Sequence, residues 1–210
     1  MLRYQLRYQH PVTPVQNDVI NQFCTSLSEE KPIYVEVILE NGAEANECFH
    51  NVLKHIEKHG GEMALGWAIW ELPTLYVEAE FHAVWEKNGQ YINITPKNEV
   101  QRRILFVPDD KLIYEGNQKN NIRQLYRPNP LLEEFFGMCD EKFNLLNANG
   151  RQDQYGEIEL FGKEEAQMKQ ITNKLMQLAP QVFQLHPHYS PYLACPCGCG
   201  KKAKWCDFKK

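Results

Sequence analysis

LYVEAEFHAVWEKNGQYINIT, residues 75–95, decides the fold. Apolar and polar residues alternate on both sides of Asn88-Gly89, and Asn-Gly between two alternating runs is the strongest local signal for a tight β-hairpin. A two-residue turn pairs Lys87 with Gln90, Val84 with Asn93 and His82 with Thr95. Successive strand residues point to opposite faces. One face then carries Phe81, Ala83, Trp85, Ile92 and Ile94 and is expected to be the buried side; the other carries His82, Val84, Glu86, Tyr91, Asn93 and Thr95 and is the polar face, where an amide could orient an imidazole. His82 and Asn93 are diagonal neighbours there, close enough for an amide to hold an imidazole.

Working outward, Ala64–Leu72 and Arg103–Val107 read as further strands. Ile33–Leu39 reads as another, stopped by Asn41-Gly42. Between them Phe49, Val52, Leu53 and Ile56 repeat at helical spacing from Cys48 to Gly60-Gly61, with Asn46 as the expected N-cap. Helices are also expected over Asp18–Ser26, Pro130–Asn147 and Lys163–Leu178, with a short strand at Glu157–Phe161 and a polar, Asn- and Gln-rich connection after Asp110. The sum is an α+β fold: an antiparallel sheet packed on helices, C-terminal helices and a small zinc knuckle. Its organisation is an entry segment over 1–32, the α+β domain over 33–180, a Pro-rich linker over 181–194 and the knuckle over 195–210.

The chain has 210 residues, 43% hydrophobic and 24% charged, so a globular core is expected and disorder is not. A formal charge of -4 gives no general attraction to nucleic acid; Lys201, Lys202, Lys204, Lys209 and Lys210 are the one basic patch. No apolar run reaches the ~18–20 residues of a membrane span, and the sequence reads as that of a cytoplasmic protein. Seven cysteines, four of them within residues 195–206, argue for reduced thiols and a metal rather than a disulfide framework.

In that tail, CPCGCGKKAKWC, Cys195, Cys197 and Cys206 supply three of the four soft ligands a tetrahedral structural Zn2+ needs. For the fourth, Cys199 offers a thiolate, Asp207 a carboxylate oxygen, and His186 or His188 an imidazole from the linker. The stretch resembles the SEC-C motif at the carboxyl terminus of the SecA translocase, Cys-Pro-Cys-Gly-Ser-Gly-Lys-Lys followed by Cys and then Cys or His. Asp207 stands at the motif's last position, and Cys199 at its serine. The resemblance implies a docking knob for a protein partner, since the translocase motif contacts a chaperone and the ribosome.

Cys48 opens a helix, where free amides and the macrodipole favour a thiolate. With His82 as base and Asn93 as the group that orients it, the three match the needs of nucleophilic catalysis. The order, a Cys at a helix start, then His82-Ala83-Val84-Trp85, then Asn93-Ile94-Thr95-Pro96, resembles the papain-like and transglutaminase-like superfamily over residues 33–108. Asn in the third position is the papain-like variant; transglutaminase-like domains usually carry Asp. The wider block also looks like bacterial proteins that join such a domain to a SEC-C tail. The resemblance implies a cysteine hydrolase or acyl-transferase recruited to its target by the knob.

The same residues also fit a small core thiol and a hydrogen-bonded strand histidine, in which case the chain is a non-catalytic adaptor acting through its zinc knob. His55 and His59, four apart on a helix, offer a further metal reading together with His82. Trp67, Trp70 and Trp85 read as core, and Cys24 and Cys139 as inert.

Overall fold

The computed structural model describes residues 11–97, 101–151, 158–185, 192–195 and 197–206. In chain order it comprises α1 (Asp18–Leu27), β1 (Ile33–Val37), α2 (Cys48–His59), β2 (Glu62–Leu72), β3 (Tyr76–Lys87), β4 (Gln90–Asn93), β5 (Arg103–Pro108), β6 (Ile122–Leu125), α3 (Pro130–Leu146) and α4 (Lys163–Leu185). It is a mixed α+β structure.

The hairpin forms in the register its turn dictates: Trp85 faces Ile92, Glu86 faces Tyr91 and Lys87 faces Gln90. Asn88 (φ 54°) and Gly89 (φ 78°) both occupy the left-handed region that a type I′ turn requires. On its other edge β3 pairs with β2 along its whole length, from Glu62 opposite Glu86 to Leu72 opposite Tyr76. The strand order β2-β5-β1-β4-β3, with β2 also paired to β3, closes a five-stranded barrel, and β6 adds to the far end of β3. The sheet is not wholly antiparallel as expected, because β1 and β4 run parallel, with Glu36 opposite Ile92.

Closure of the barrel corrects the expectation that only the face of Phe81 and Ala83 is buried. Trp67, Ile69, Phe81, Ala83, Leu105 and Val107 point outward and pack under Ile20, Phe23, Phe49 and Val52 of α1 and α2. Their neighbours in sequence, Ala68, Trp70, Val84, Ile104 and Phe106, join Val35 in a second cluster that fills the barrel interior. The face bearing His82 and Asn93 therefore turns inward, and both are buried. Each fully buried large apolar side chain contributes about 1.5–3 kcal/mol, so the two clusters are the main favourable term. Gly66 lies where β2 pairs with β5: a Cβ there would run into the Val107 carbonyl and stand 2.6 Å from the Phe106 ring.

Other differences are local. Asn46 has φ 67° and does not cap α2; Glu47 precedes the helix and supplies no side-chain cap. The polar connection after Asp110 contains β6, and residues 158–161 of the expected short strand are irregular, Glu157 lying outside the described residues. The last helix runs past Leu178 and through Pro180 to Leu185, so the first residues of the expected linker are helical. Leu132 of α3 and Val182 of α4 bury themselves against Leu72 and Tyr76. Among the described residues no helix is long and apolar enough to cross a membrane.

Candidate functional site

Cys48 is the first residue of α2 and is buried where the helix meets the barrel. The α2–barrel junction is pinned by Asn51, which the sequence reading passed over. Its Nδ2 donates to Thr95 Oγ1 (3.1 Å) and to the Glu44 carbonyl (2.8 Å), while its Oδ1 accepts from the Glu44 amide (3.0 Å). One side chain thus ties Cys48's helix to the end of the strand that carries Asn93. A buried Asn one turn into an otherwise apolar helix face was the signal available for it.

His82 and Asn93 meet as the hairpin register requires, with His82 Nε2 3.0 Å from Asn93 Oδ1. An amide oxygen only accepts, so Nε2 carries the proton and Nδ1 is left as the basic nitrogen. Asn93 is itself fixed, donating to the Thr95 carbonyl (3.3 Å) and accepting from the Thr95 amide (3.4 Å). His82 Nδ1 is buried and makes no formed hydrogen bond. Burial disfavours the imidazolium, but Cys48, then the Glu80 carboxylate and Asn93, outweigh it and raise His82 to about 9. Cys48 acts on the ring both by charge and as a hydrogen-bond partner, at a looser geometry than a formed bond. Thiol–imidazole pairs without substrate are commonly of this kind.

Glu80, two residues before His82 on the same strand face, accepts from Trp70 Nε1 (2.7 Å) and Lys97 Nζ (3.2 Å), and Lys97 sits 3.5 Å over the Trp70 ring. Although desolvation opposes it, Lys97 and His82 hold the Glu80 carboxyl below its ordinary range. These groups open onto a cavity of about 450 Å³ whose walls include Cys48, His82, Asn93, Gln101, Lys119 and Phe143. That volume suits a small ligand or a peptide side chain. A more open hollow of about 600 Å³ between α3 and α4, lined by Met138, Ile171 and Lys174, contains no cysteine or histidine.

The other cysteines differ. Burial pushes the Cys24 thiol up to about 11 and raises Cys139 as well. Cys195, Cys197, Cys199 and Cys206 bring their sulphurs within 4.8 Å of one another, with separations of 3.3 Å (195 to 197), 3.6 Å (197 to 206) and 3.8 Å (199 to 206). Four sulphurs bound at about 2.3 Å to one tetrahedral ion stand roughly 3.8 Å apart, so the cluster has the dimensions of a four-thiolate metal site. These four residues can hold a metal ion, and Cys199 belongs to the set. Asp207, His186 and His188 lie outside the described residues. His55 and His59 do approach each other, but their third neighbour is Glu40, 2.8 Å from His55 Nδ1, and not His82, which is inside the barrel.

Comparison with protein-family models, with curated proteins and with solved structures finds no match. The SEC-C and papain-like resemblances therefore rest on the residues themselves.

Proposed function

We propose that the protein is a cysteine-dependent hydrolase or acyl-transferase whose site is Cys48, His82 and Asn93, with a structural zinc knuckle at Cys195, Cys197, Cys199 and Cys206. The observation that supports this most is the buried His82: Asn93 occupies Nε2, while Nδ1, without a formed hydrogen bond, is available to Cys48. A buried ring nitrogen without a formed hydrogen bond costs stability, and Cys48 is the group that acts on this ring most strongly.

In this mechanism the Cys48 proton rests on His82 Nδ1 near neutral pH, and the thiolate Sγ attacks the carbonyl carbon of an amide or ester. The carbonyl π pair moves to oxygen, where the amides of the first α2 turn stabilise it. Collapse re-forms the carbonyl and breaks the bond to the leaving group, which receives the proton from His82 Nδ1. Water or an acceptor amine or alcohol then attacks the thioester, His82 removing its proton and returning it to Sγ. Asn93 keeps the ring in the orientation that serves all these transfers.

The domain of residues 33–180 is the catalytic unit, and the knuckle is the module that finds the target in the cytoplasm. Tyr192 and Trp205, 59% and 63% exposed, flank Lys204, which lies 3.9 Å and 4.4 Å from their rings; such an aromatic, basic surface suits a protein partner. The same surface supports the second reading, an adaptor that binds through the knuckle without chemistry at Cys48.

Alkylation of zinc-loaded protein with iodoacetamide at neutral pH, followed by peptide mass mapping, separates the two. The enzyme reading expects Cys48 to label far faster than Cys24 and Cys139 and to lose that speed in His82→Ala. A slow Cys48 indifferent to His82 would leave the adaptor.

A further inference from the structure

We propose that the cysteine knuckle is a positioning element for the catalytic histidine: a metal ion held there fixes the start of β5 and, through β1, the backbone of Asn93. The inference rests on the catalytic role given to His82 and Asn93. It follows from four consecutive hydrogen bonds. The Cys197 carbonyl accepts from the Arg102 amide (2.8 Å), the Arg102 carbonyl from the Val37 amide (2.9 Å), and the Asn93 carbonyl from the Ile38 amide (3.0 Å); Asn93 Oδ1 then accepts from His82 Nε2 (3.0 Å). Val37 and Ile38 are adjacent, so the path from knuckle to imidazole is continuous.

The knuckle is seated on the barrel by more than this one bond. Arg103 Nε donates to the Gly198 carbonyl, and the guanidinium lies 3.6 Å over the Tyr34 ring. Tyr34 in turn donates its hydroxyl to the Pro14 carbonyl (3.0 Å). The Thr13 hydroxyl is 2.9 Å from both the Arg103 carbonyl and Gln101 Oε1, and Gln101 lines the cavity. Gly198 has φ +74°, and a Cβ on it would stand 2.7 Å from the Arg103 carbonyl, so backbone meets backbone with no room between. The described part of the knuckle has a single 3-10 turn, Ala203–Trp205, and a single bridge, Ala194 with Lys202. A segment with so little structure of its own depends on its metal for shape. It is thus the two-state element that physical coupling between distant sites requires: ordered with metal, it holds Arg102 and Arg103; without metal, it releases both.

The test compares zinc-loaded protein, protein stripped by a chelator, and Arg103→Met with zinc bound. Methionine keeps an apolar stem over Tyr34 and loses the Nε donor. Amide hydrogen exchange reads the Val37 and Ile38 amides, the path's donors to Arg102 and Asn93, and alkylation reads Cys48, with buried Cys24 as the monitor of global opening. Stripping is expected to speed exchange at both amides at least about tenfold and to slow Cys48 alkylation at least about fivefold, within the usual range of coupling between sites. Arg103→Met, with one zinc per chain, is expected to show a smaller change of both in the same direction. Faster exchange confined to residues 192–206, or an Arg103→Met protein identical to wild type in both readouts, would overturn the proposal. Cys24 becoming reactive on stripping would also refute it, because the effect is then unfolding and not positioning. If a parallel His82→Ala sample alkylates Cys48 like wild type, the catalytic reading fails, while the exchange data still decide the coupling.

Discussion

Removing the Asn93 side chain exposes the logic of the site to measurement. Asn93→Ala deletes three buried hydrogen bonds, from His82 Nε2 (3.0 Å), to the Thr95 carbonyl (3.3 Å) and from the Thr95 amide (3.4 Å). At about 1 kcal/mol each the loss is about 3 kcal/mol. For a chain of this size that lowers the melting temperature by roughly 6–12 °C. The effect on Cys48 is separate. Without the amide, the imidazole is free to turn about χ2, and Nδ1 is held at the thiol only part of the time. A loss of about 1.4 kcal/mol in that orientation is a tenfold fall in rate. Iodoacetamide labelling of Cys48 at neutral pH is therefore expected to slow about tenfold in Asn93→Ala, whereas Asn93→Asp, which keeps an oxygen opposite Nε2, should stay well above it. A wild-type alkylation rate in an Asn93→Ala protein that melts lower would refute the orienting role, since stability would have been lost without any change at the thiol.

The remaining expectations concern charge, metal and packing. His82 is raised above the ordinary histidine value, so the stabilisation it gives is present in full below pH about 6.5 and is lost as the pH rises through about 9. The imidazolium also attracts anionic reagents, so the rate of Cys48 with iodoacetate relative to iodoacetamide is expected to be higher at neutral pH than above about 9; a ratio independent of pH would contradict the pairing. Glu80→Gln removes a carboxylate that favours the imidazolium, and the same transition should move to lower pH. Elemental analysis should find one zinc per chain, lost in Cys199→Ser and kept in Asp207→Asn if the fourth ligand is the thiolate inside the cluster; the reverse pattern would assign the site to Asp207. Gly66→Ala should destabilise the barrel by several kcal/mol, measured by denaturant unfolding, because the obstacle is the Val107 backbone rather than a movable side chain.

The hairpin was legible because its information is local. Asn88-Gly89 fixes the turn, the turn fixes the register, and the register puts His82 diagonal to Asn93. The helix at Cys48 was legible from its apolar spacing, and the cysteine cluster from its composition. What escaped the sequence depends on partners far along the chain. That the polar face turns inward follows from β2 and β4 flanking β3 and from β1 and β5 closing the ring between β4 and β2, none of which is encoded in the alternation of residues 75–95. The parallel β1–β4 pair and the short β6, whose Ile122 is partly exposed, have the same cause. Asn51 looked like one polar residue on a helix, and its role appears only when Thr95 arrives beside it. The seat of the knuckle on Arg102 and Arg103 joins residues almost a hundred positions apart.

A cysteine hydrolase or acyl-transferase built on this site must form a covalent acyl intermediate on Cys48 with the help of His82. Mixing the zinc-loaded protein with an activated acyl ester and reading the intact mass on a stopped-flow timescale tests it without knowledge of the natural substrate. One acyl group per chain is expected, mapped to Cys48, formed quickly in wild type, slowly in His82→Ala and not at all in Cys48→Ala, and released to water or to an added amine. Acylation spread over several cysteines, or proceeding equally well without His82, would contradict it.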